Sequence, residues 1–393
     1  MNILMVLEGV FPQDERVEKE IASLRGKGHN VRIATYSFNP LPFKEEFEGY
    51  IIYRRRLSKF LYKVSAAALV LPFYFSFWRK YLRNIYSEWK FDAIHVHDLP
   101  LAKMGYEFKR DFGTRFVADQ HEFYSNWIVK TAHYNSFPGK IIKLLSNWKK
   151  YEYRYLQQAD LICTVEQPLK DLYIRLHRLE PEKIVVIPNT PLKKIYGKKI
   201  RKREDKAFIL FYCGGLDILR GLETPIRSLL ILKDKIPNIK ISLVGKVNKH
   251  FDPIAYAGEL GLAKHIEFRG WVHYHDLPDE IDESDICFFT PPANRNEINN
   301  TIATKIYQYM AREKPVIVGQ ASYMKEFIEK NGIGISIDEK SPEEFAGAVL
   351  KIYESPELGK EFSSNARKKV DNYYWENTVK ALEDFYANAT LVN

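Results

Sequence analysis

Two runs of alternating strand-like and helix-like segments, separated by a short basic stretch, constrain the fold of this 393-residue chain most strongly. The first run ends near residue 190 and the second begins near residue 207. Apolar strands that alternate with helices favour parallel sheets covered by helices on both faces. We therefore predict an α/β chain of two doubly wound, Rossmann-like domains. Ligands of such sheets bind beyond the carboxyl ends of the strands, so we expect the two domains to face a central cleft.

The domain boundaries follow from where the alternation stops. We predict a first domain over 1–190, a basic linker over 191–206 and a second domain over 207–371. The linker is rich in lysine and arginine and has no hydrophobic periodicity, which is typical of exposed chain. The last segment, 372–393, is amphipathic through Tyr374, Val379 and Leu382. We expect it to form a helix that packs back on the first domain.

Composition limits the classes of function. A hydrophobic content of 46% with 28% charged residues is typical of a globular chain. The three cysteines (Cys163, Cys213 and Cys287) lie far apart in apolar runs, which favours reduced core residues of a cytoplasmic protein. The net charge of +9 is not accompanied by a nucleic-acid-binding motif, so we expect no nucleic-acid partner. A phosphorylated ligand or an anionic membrane surface would account for it.

The segment Val64–Trp78 is uncharged over 15 residues and is framed by arginines and lysines between residues 54 and 83. It is too short to span a bilayer, which takes roughly 20 apolar residues. One interpretation is a surface that dips into an anionic leaflet, which would place the protein peripherally on the inner face of the membrane. The other is a buried helix and loop under the first sheet.

Polar residues end several predicted strands, as a ligand-binding edge requires. They lie in the loop Glu8–Arg16, in His95–Asp98, in Asp119–Glu122 and in Cys213–Gly221. In the last of these, Gly214 and Gly215 allow a close approach of the backbone, and Arg220 offers a bidentate cation for phosphate. His95 and His97 fall on one face of their strand, so both could reach the ligand, although backbone contacts can also satisfy a histidine at a strand end.

A second phosphate-binding feature lies in Asn299–Gln320. A helix is predicted to begin near Thr301–Thr304, after a polar loop and before an apolar strand. The first turn of a helix presents free N–H groups and a partial positive charge, and Lys305 adds a full charge there. A helix that only packs on the sheet remains the alternative. The first loop lacks GxGxxG and no glycine loop ends in GKS or GKT, which argues against nicotinamide or flavin enzymes and P-loop NTPases.

Taken in order, these segments resemble the GT-B glycosyltransferases of the large retaining family 4, over essentially the whole chain. The matching segments are FPQDERVEKEIASLRGKGHNV, DAIHVHDLPLA, ADQHE, TVEQPLKDLY with KIVVIPN, FYCGGLDILRGLETPI and ATKIYQYMAREKPVIVG. The resemblance implies a hexosyltransferase-like enzyme that moves a sugar from a nucleotide diphosphate-sugar to a glycan or lipid-linked acceptor, in the synthesis of surface polysaccharide, lipopolysaccharide or glycolipid.

The resemblance also implies roles for individual residues. His121, Arg220 and Lys305 match the catalytic positions, the two cations beside the donor diphosphate and the histidine near the transferred sugar. The implied donor-binding residues are Gly214, Gly215, Asn300, Thr301, Thr304 and Gln308. The implied acceptor-side residues are Arg16, His97, Asp98 and Glu122. Protein cations would stabilise the diphosphate, so no metal and no cofactor are expected.

Three positions depart from the family pattern. Asn300 and Gln308 stand where many relatives carry two glutamates, and Gly215 replaces a frequent arginine. A neutral amide holds a ribose hydroxyl less strongly than a carboxylate does. Two alternatives therefore stay open: a degenerate relative that binds a nucleotide-sugar or a partner without catalysis, and a nucleotide-sugar epimerase on the same fold.

Overall fold

The structure is a computed structural model that describes residues 1–12, 14–71, 73–128, 147–201, 207–248, 251–293 and 299–390. The chain forms two compact units. The first consists of Met1–Pro188 together with Val379–Asn393, and the second of Asn189–Thr378. Each unit contains one sheet of mainly parallel strands, which confirms the prediction of two α/β domains.

The sheet of the first unit has eight strands among the described residues. They are β1 (Asn2–Leu7), β2 (Asn30–Ser37), β3 (Lys44–Phe47), β4 (Tyr50–Arg56), β5 (Ala93–His97), β6 (Arg115–Gln120), β7 (Leu161–Thr164) and β8 (Ile184–Val186). Their order is β3-β4-β2-β1-β5-β6-β7-β8, and only β3 is antiparallel to its neighbour. In this register His97 of β5 lies beside Asp119 of β6, so the two side chains share the carboxyl edge of the sheet.

Amphipathic helices cover this sheet. Their bounds are Glu15–Gly26, Lys59–Val64, Phe73–Glu88, Ala102–Phe112, Tyr124–Trp127, Trp148–Leu156, Gln167–His177 and Lys380–Thr390. The first helix is capped by Asp14, whose carboxylate accepts a hydrogen bond from the backbone N–H of Val17 at 3.2 Å. Its buried face contains Val17, Ile21 and Leu24, and also the charged residues Arg16 and Glu20. That face brings two charges into the interior at the carboxyl edge of the sheet.

Six parallel strands are described in the second unit. They are β9 (Phe208–Cys213), β10 (Ile239–Val244), β11 (Ile266–Gly270), β12 (Ile286–Phe289), β13 (Val316–Val318) and β14 (Gly334–Ser336), in the order β11-β10-β9-β12-β13-β14. The helices described in it are Lys193–Tyr196, Glu223–Leu232, Pro253–Glu259, Leu277–Asp282, Thr304–Ala311, Ser322–Asn331, Pro342–Glu354, Pro356–Lys369 and Trp375–Thr378. Strands β9 and β12, which carry the loops discussed below, are central and buried.

The basic stretch is not an exposed linker throughout, which corrects the prediction for 191–206. Ile195 and Tyr196 are buried in the core of the second unit. Arg312, itself buried, donates hydrogen bonds to the carbonyl oxygens of Tyr196 and Lys198, each at 2.7 Å, and forms an ion pair with Asp282 at 2.5 Å. Arg312 therefore fixes the chain up to residue 198 to this unit, and residues 202–206 lie outside the described part.

The C-terminal segment is divided between the units. Trp375–Thr378 belongs to the second unit, and the helix Lys380–Thr390 belongs to the first. In the first unit Tyr386 is buried, and its hydroxyl lies 3.3 Å from Nδ1 of His95. The packing of residues 380–390 on the first unit thus places a tyrosine against β5.

The uncharged segment Val64–Trp78 is partly buried and partly exposed. Ala67, Ala68, Tyr74, Phe75 and Trp78 are buried, as core residues would be. Val70, Leu71 and Phe73 are exposed, as are the preceding Phe60 and Tyr62; Phe73 is 61% and Phe60 76% exposed. No helix in the described ranges has the length and apolar character needed to cross a membrane.

Candidate functional site

The end of β9 forms a turn that only glycine can make. Gly214 has φ +136°, and a Cβ at this position would lie 2.7 Å from Nζ of Lys305. Gly245 lies against the same turn, since a Cβ there would meet the carbonyl oxygen of Gly214 at 1.8 Å. These close approaches explain why the sequence has glycine at both strand ends. They leave the Lys305 ammonium group directly over the end of the strand.

Lys305 occupies an aromatic and mostly desolvated position in the first turn of the helix Thr304–Ala311. Its Nζ lies 4.5 Å from the ring centre of Tyr212 and 4.3 Å from that of Phe289, and it donates a hydrogen bond to the Tyr212 hydroxyl at 3.3 Å. Burial lowers the pKa of Lys305 to about 8, and the positive charge of Arg220 acts in the same direction. The site therefore holds a cation that would gain from an anion beside it.

Arg220 ends a short helical turn, Ile218–Arg220, that is capped by Asp217. The Asp217 carboxylate accepts a hydrogen bond from the backbone N–H of Leu219 at 2.8 Å and lies 3.5 Å from Nε of Arg220. Nε of Arg220 is buried and has no hydrogen-bond partner among the described residues. Gly221 follows with φ +68°, and a Cβ there would lie 1.7 Å from the carbonyl oxygen of Thr290. Glycine thus lets this turn pack against the end of β12.

The start of the helix Thr304–Ala311 completes the arrangement. Its N-cap residue is Ala303, which provides no side-chain hydrogen bond to the first N–H groups. A helix N-terminus without a side-chain cap is suited to an anion, because its N–H groups and dipole both favour negative charge. Two cations and this N-terminus lie at the carboxyl edge of one sheet. The arrangement can bind a diphosphate and stabilise negative charge that grows on it.

The other predicted donor residues lie around this anion-binding edge. Gly215 and Asn300 are exposed, and Thr301 and Thr304 are partly buried. Gln308 is one turn beyond Lys305 and only 6% exposed. Residues 294–298, in the loop that precedes them, lie outside the described part of the chain. The structure therefore brings Gly214, Arg220 and Lys305 together and places the remaining candidates on the adjoining loop and helix.

In the first unit, Asp119 at the end of β6 organises a buried polar cluster. Its two carboxylate oxygens accept hydrogen bonds from Nε and Nη2 of Arg16, at 3.0 and 2.9 Å. Oδ2 also lies 2.9 Å from Nε2 of His121 and 3.3 Å from Nδ1 of His97. Burial favours the neutral acid, but Arg16 and His121 outweigh it and hold the pKa of Asp119 well below its ordinary value.

His121 is the member of this cluster that reaches the surface, with its side chain 22% exposed. Burial opposes a charge on the ring, but Asp98 and Asp119 together raise the pKa of His121 to about 10. The Asp98 carboxylate lies 3.8 Å from Nδ1 of His121 and accepts a hydrogen bond from its backbone N–H at 3.4 Å. Asp98 itself has φ +64°, a strained conformation that the surrounding contacts must maintain.

The ligand atoms of Glu20, His95, His97 and Asp119 lie within 4.8 Å of one another, and all four residues are buried. Histidines and carboxylates are ligands of several transition metals. However, the guanidinium group of Arg16 lies 3.2 Å from Glu20 and 2.9 Å from Asp119. Arg16 therefore already supplies the positive charge that a metal ion would bring, and it would repel a divalent cation.

Two predicted acceptor-side residues do not reach the surface, which corrects their assignment. His97 is 0% and Arg16 3% exposed, so neither can contact an acceptor directly. A parallel sheet is buried on both faces, so the alternation of side chains along β5 did not show that His95 and His97 are both buried. Asp98 and Glu122 are partly exposed, as an acceptor contact requires.

Asp119 and Glu8 were predicted only as ends of polar segments, without a role in the site, and Glu20 was not predicted as a site residue. Arg16 and Glu20 are one helical turn apart on the face that carries Val17 and Ile21, and charges on an apolar face were the available signal. Glu8 follows β1 and accepts a short hydrogen bond from the hydroxyl of Tyr74. Burial is the main reason that the pKa of Glu8 is raised to about 7, and Asp98 adds to it. The loop after β1 therefore adds a third carboxylate to this edge.

Two sequence models of known families match the chain over complementary regions. Residues 16–190 match Glycosyltransferase Family 4, and residues 193–369 match Glycosyl transferases group 1. The protein is a glycosyltransferase of the family 4 type. Among curated relatives, EpsD of Bacillus subtilis (strain 168), a glycosyltransferase by name, is 24% identical over 332 residues, which cover 78% of this chain and 79% of EpsD.

Solved structures agree on the GT-B fold. Sucrose-phosphate synthase from Thermosynechococcus elongatus has a TM-score of 0.72 and 15% identity, with 100% of both chains covered. HepE of Anabaena, solved in complex with UDP and glucose, has a TM-score of 0.66 and 15% identity, with 99% of both chains covered. The family and the fold predicted from the sequence are thus confirmed, and the chain is a transferase.

The lowered pKa of Lys305 predicts a pH dependence of anion binding by this glycosyltransferase. A bound diphosphate stabilises the ammonium form, so the pKa of Lys305 rises in the complex. Affinity for UDP should then be complete below pH 8 and should weaken by about tenfold per pH unit above it. Isothermal titration calorimetry with UDP between about pH 7 and 9.5 measures this. Lys305→Arg keeps the charge and should remove the dependence; a constant wild-type affinity would contradict the assignment.

Proposed function

We propose that this enzyme transfers a sugar, with retention of anomeric configuration, from a nucleotide diphosphate-sugar to a glycan or lipid-linked acceptor. The supporting observation is the position of the Lys305 ammonium group over Gly214, beside Arg220 and the uncapped start of the helix Thr304–Ala311. HepE, a structural neighbour, binds UDP and glucose, which favours a nucleoside diphosphate in the corresponding position. Surface polysaccharide, lipopolysaccharide or glycolipid synthesis would supply such acceptors.

The chemistry assigned to the second unit is stabilisation of the leaving group. The bond between the anomeric carbon and the diphosphate oxygen breaks, and both electrons remain on the diphosphate. The acceptor hydroxyl oxygen forms the new bond to that carbon, and its proton passes to the departing diphosphate oxygen. Arg220, Lys305 and the helix N–H groups lower the energy of this step because the charge on the diphosphate increases as the bond breaks.

We also propose that the enzyme needs no metal and no cofactor for this step, because protein cations perform the charge stabilisation. On the first unit, the partly exposed residues Glu8, Asp98, His121 and Glu122 would receive the donor sugar and the acceptor hydroxyl. Gln308 would contact the nucleotide ribose through its neutral amide and Asn300 a sugar hydroxyl, which favours a donor different from that of the common relatives. Retention of Arg220 and Lys305 favours catalysis over a degenerate binding role.

Arg220→Ala tests the transferase proposal. Removal of the guanidinium group should lower kcat/KM for sugar transfer by about 10²-fold or more, as loss of a group that stabilises transition-state charge does. Circular dichroism and the melting temperature should stay unchanged, because Arg220 is partly exposed and its one ion pair within the described ranges is the 3.5 Å contact with Asp217. Transfer is measured as loss of donor and formation of glycosylated product on a panel of nucleotide diphosphate-sugars.

The control is Arg227→Ala, which removes an exposed arginine from the helix Glu223–Leu232 of the same unit. It should leave kcat/KM within about twofold, since exposed arginines contribute little. Undiminished transfer by Arg220→Ala would contradict the proposal. Conversion of a nucleotide-sugar without any acceptor would identify the epimerase alternative, and donor binding without turnover by the wild type would identify the degenerate one.

We propose in addition that the first unit docks peripherally on an anionic membrane, at the cytoplasmic face. A cavity of about 570 Å³ is lined by Leu41, Phe43, Arg54, Arg55, Arg56, Lys80 and Asn84. Arg54 pairs with Glu45, whereas Arg55, Arg56 and Lys80 form no ion pair within the described part of the chain. The unpaired cations would bind anionic headgroups, and the exposed Phe60 and Phe73 of the same segment of chain would enter the interface.

Charge reversal tests the docking surface. Co-sedimentation with phosphatidylglycerol vesicles should fall several-fold in Arg56→Glu/Lys80→Glu and when salt is raised from about 0.05 to 0.3 M, because both weaken the attraction to anionic lipid. Arg79 is unsuitable for this test, since Glu107 binds its guanidinium at 2.7 Å. The matched control is Lys233→Glu/Lys351→Glu, two exposed lysines of the second unit. Equal sedimentation of both variants, or none by the wild type, would contradict docking.

A further inference from the structure

The hydrogen-bond acceptor positions of the Asp119 carboxylate are all occupied by protein donors, so none is available to a substrate. A carboxylate offers about four lone-pair directions to donors. In this structure four donors occupy them: Nε and Nη2 of Arg16, Nδ1 of His97 and Nε2 of His121, at distances of 2.9 to 3.3 Å. The residue is also 0% exposed. Its effect on the reaction must therefore act through one of these partners.

His121 is the partner through which Asp119 can act. Arg16 and His97 are buried, whereas the His121 side chain is 22% exposed. Because Nε2 of His121 lies 2.9 Å from the carboxylate, that nitrogen must carry a proton. The other ring nitrogen, Nδ1, lies 3.8 Å from Asp98. Asp98 is partly exposed at the carboxyl edge of the sheet, so Nδ1 is the ring nitrogen available to a ligand there.

We propose that Asp119 is a positioning residue that keeps His121 doubly protonated, so that its Nδ1–H acts as a cationic hydrogen-bond donor to the sugar or acceptor oxygen. Arg16 is the second positioning residue, because it keeps the buried Asp119 ionised. This inference rests on the transferase function proposed above and deepens it. It assigns His121 the role of a positively charged hydrogen-bond donor and excludes a role as a general base at neutral pH.

The charges around His121 are consistent with this role. The titratable or charged groups that surround it are Asp98, His95 and His97 of β5 and its end, Asp119 of its own strand, and Arg16 and Glu20 of the first helix. Burial raises the pKa of Glu20 well above its ordinary value and lowers the pKa of His95 well below its own, so burial disfavours the charged form of each. Two carboxylates, Asp98 and Asp119, thus balance the cations Arg16 and His121.

The network extends to the C-terminal helix. Tyr386 Oη lies 3.3 Å from Nδ1 of His95, and the two rings stack with centroids 6.3 Å apart. The rings of His95 and His97 stack at 4.8 Å, and His97 contacts Asp119. Each buried ring therefore fixes the orientation of the next. The helix Lys380–Thr390 thereby contacts the cluster through Tyr386.

The proposal is tested by the titration of His121 in the full chain. Side-chain NMR of protein labelled with ¹³C-histidine, with His121 assigned by the signal lost in His121→Gln, should show His121 titrating above pH 9. In Asp119→Asn the titration should fall toward the ordinary value of about 6.5. A wild-type titration near 6.5, or one that Asp119→Asn does not move, would overturn the proposal. This readout requires no turnover, so it stands apart from the test of the transferase function.

Kinetics supply a second readout. At saturating donor, which removes the contribution of Lys305 to binding, kcat of the wild type should not decline between about pH 6 and 8.5, the range below the His121 titration. In Asp119→Asn, kcat should fall by about thirtyfold as the pH rises from 5.5 to 8, because the charged ring disappears above a pKa of about 6.5. A pH profile identical to that of the wild type would contradict the positioning role.

Glu152→Gln is the matched control for a merely structural loss. Glu152 is another carboxylate of the first unit with 0% exposure; it lies 2.9 Å from Nε2 of His177 and accepts a hydrogen bond from the hydroxyl of Ser125 at 2.8 Å. Its replacement should lower the melting temperature without moving the His121 titration. If Asp119→Asn leaves Arg16 unpaired and fails to fold, Arg16→Met/Asp119→Asn removes both charges together. In that double variant His121 should again titrate near 6.5, and titration above pH 9 would overturn the proposal.

Discussion

The approach of a lysine ammonium group to a glycine at a strand end is the contact on which the donor site depends. A Cβ at position 214 would lie 2.7 Å from Nζ of Lys305, so glycine there allows the ammonium group its present position. Tyr212 and Phe289 surround the ammonium group with aromatic faces, which removes water and lowers its pKa. Arg220 adds a second charge, and its buried Nε has no hydrogen-bond partner in the part of the chain that the structure describes. The fold thus holds two cations near each other, which is electrostatically unfavourable in the absence of an anion. A bound diphosphate would reduce the repulsion between them.

In the first unit the buried charge that needs a counter-ion is negative. Burial of an isolated carboxylate is costly, and Arg16 and His121 together hold the pKa of the buried Asp119 well below its ordinary value. Arg16 lies in the first turn of the first helix, which Asp14 caps. The start of this helix therefore provides the counter-ion of Asp119. The same carboxylate then holds His121 at the edge of the sheet. Each unit therefore ends its central strands with a charge cluster, positive in the second unit and balanced in the first.

Much of the fold could be predicted because strand and helix periodicities are local properties of the sequence. The strand β3 was missed: KEEF is short and polar, and a two-residue turn at Glu48–Gly49, both with positive φ, joins it antiparallel to β4. The basic stretch 191–206 was assigned to exposed linker because its charge hid Ile195 and Tyr196, whose burial depends on Arg312, more than 100 residues away. Gly214, Arg220 and Lys305 were predicted as site residues because they lie in recognisable sequence motifs. Asp119 and Glu20 were not, because only tertiary packing shows which charges are buried together.

The proposed binding site for the nucleoside diphosphate-sugar lies at the end of β9 and the start of the helix Thr304–Ala311. Hydrogen–deuterium exchange in the presence of saturating UDP-, GDP- or ADP-linked sugar measures this most directly. At least one of these ligands should slow exchange in residues 213–221 and 304–308, whereas a CMP-linked sugar, which carries a single phosphate, should protect them less. Protection confined to other segments, or none with any of the ligands, would contradict the account.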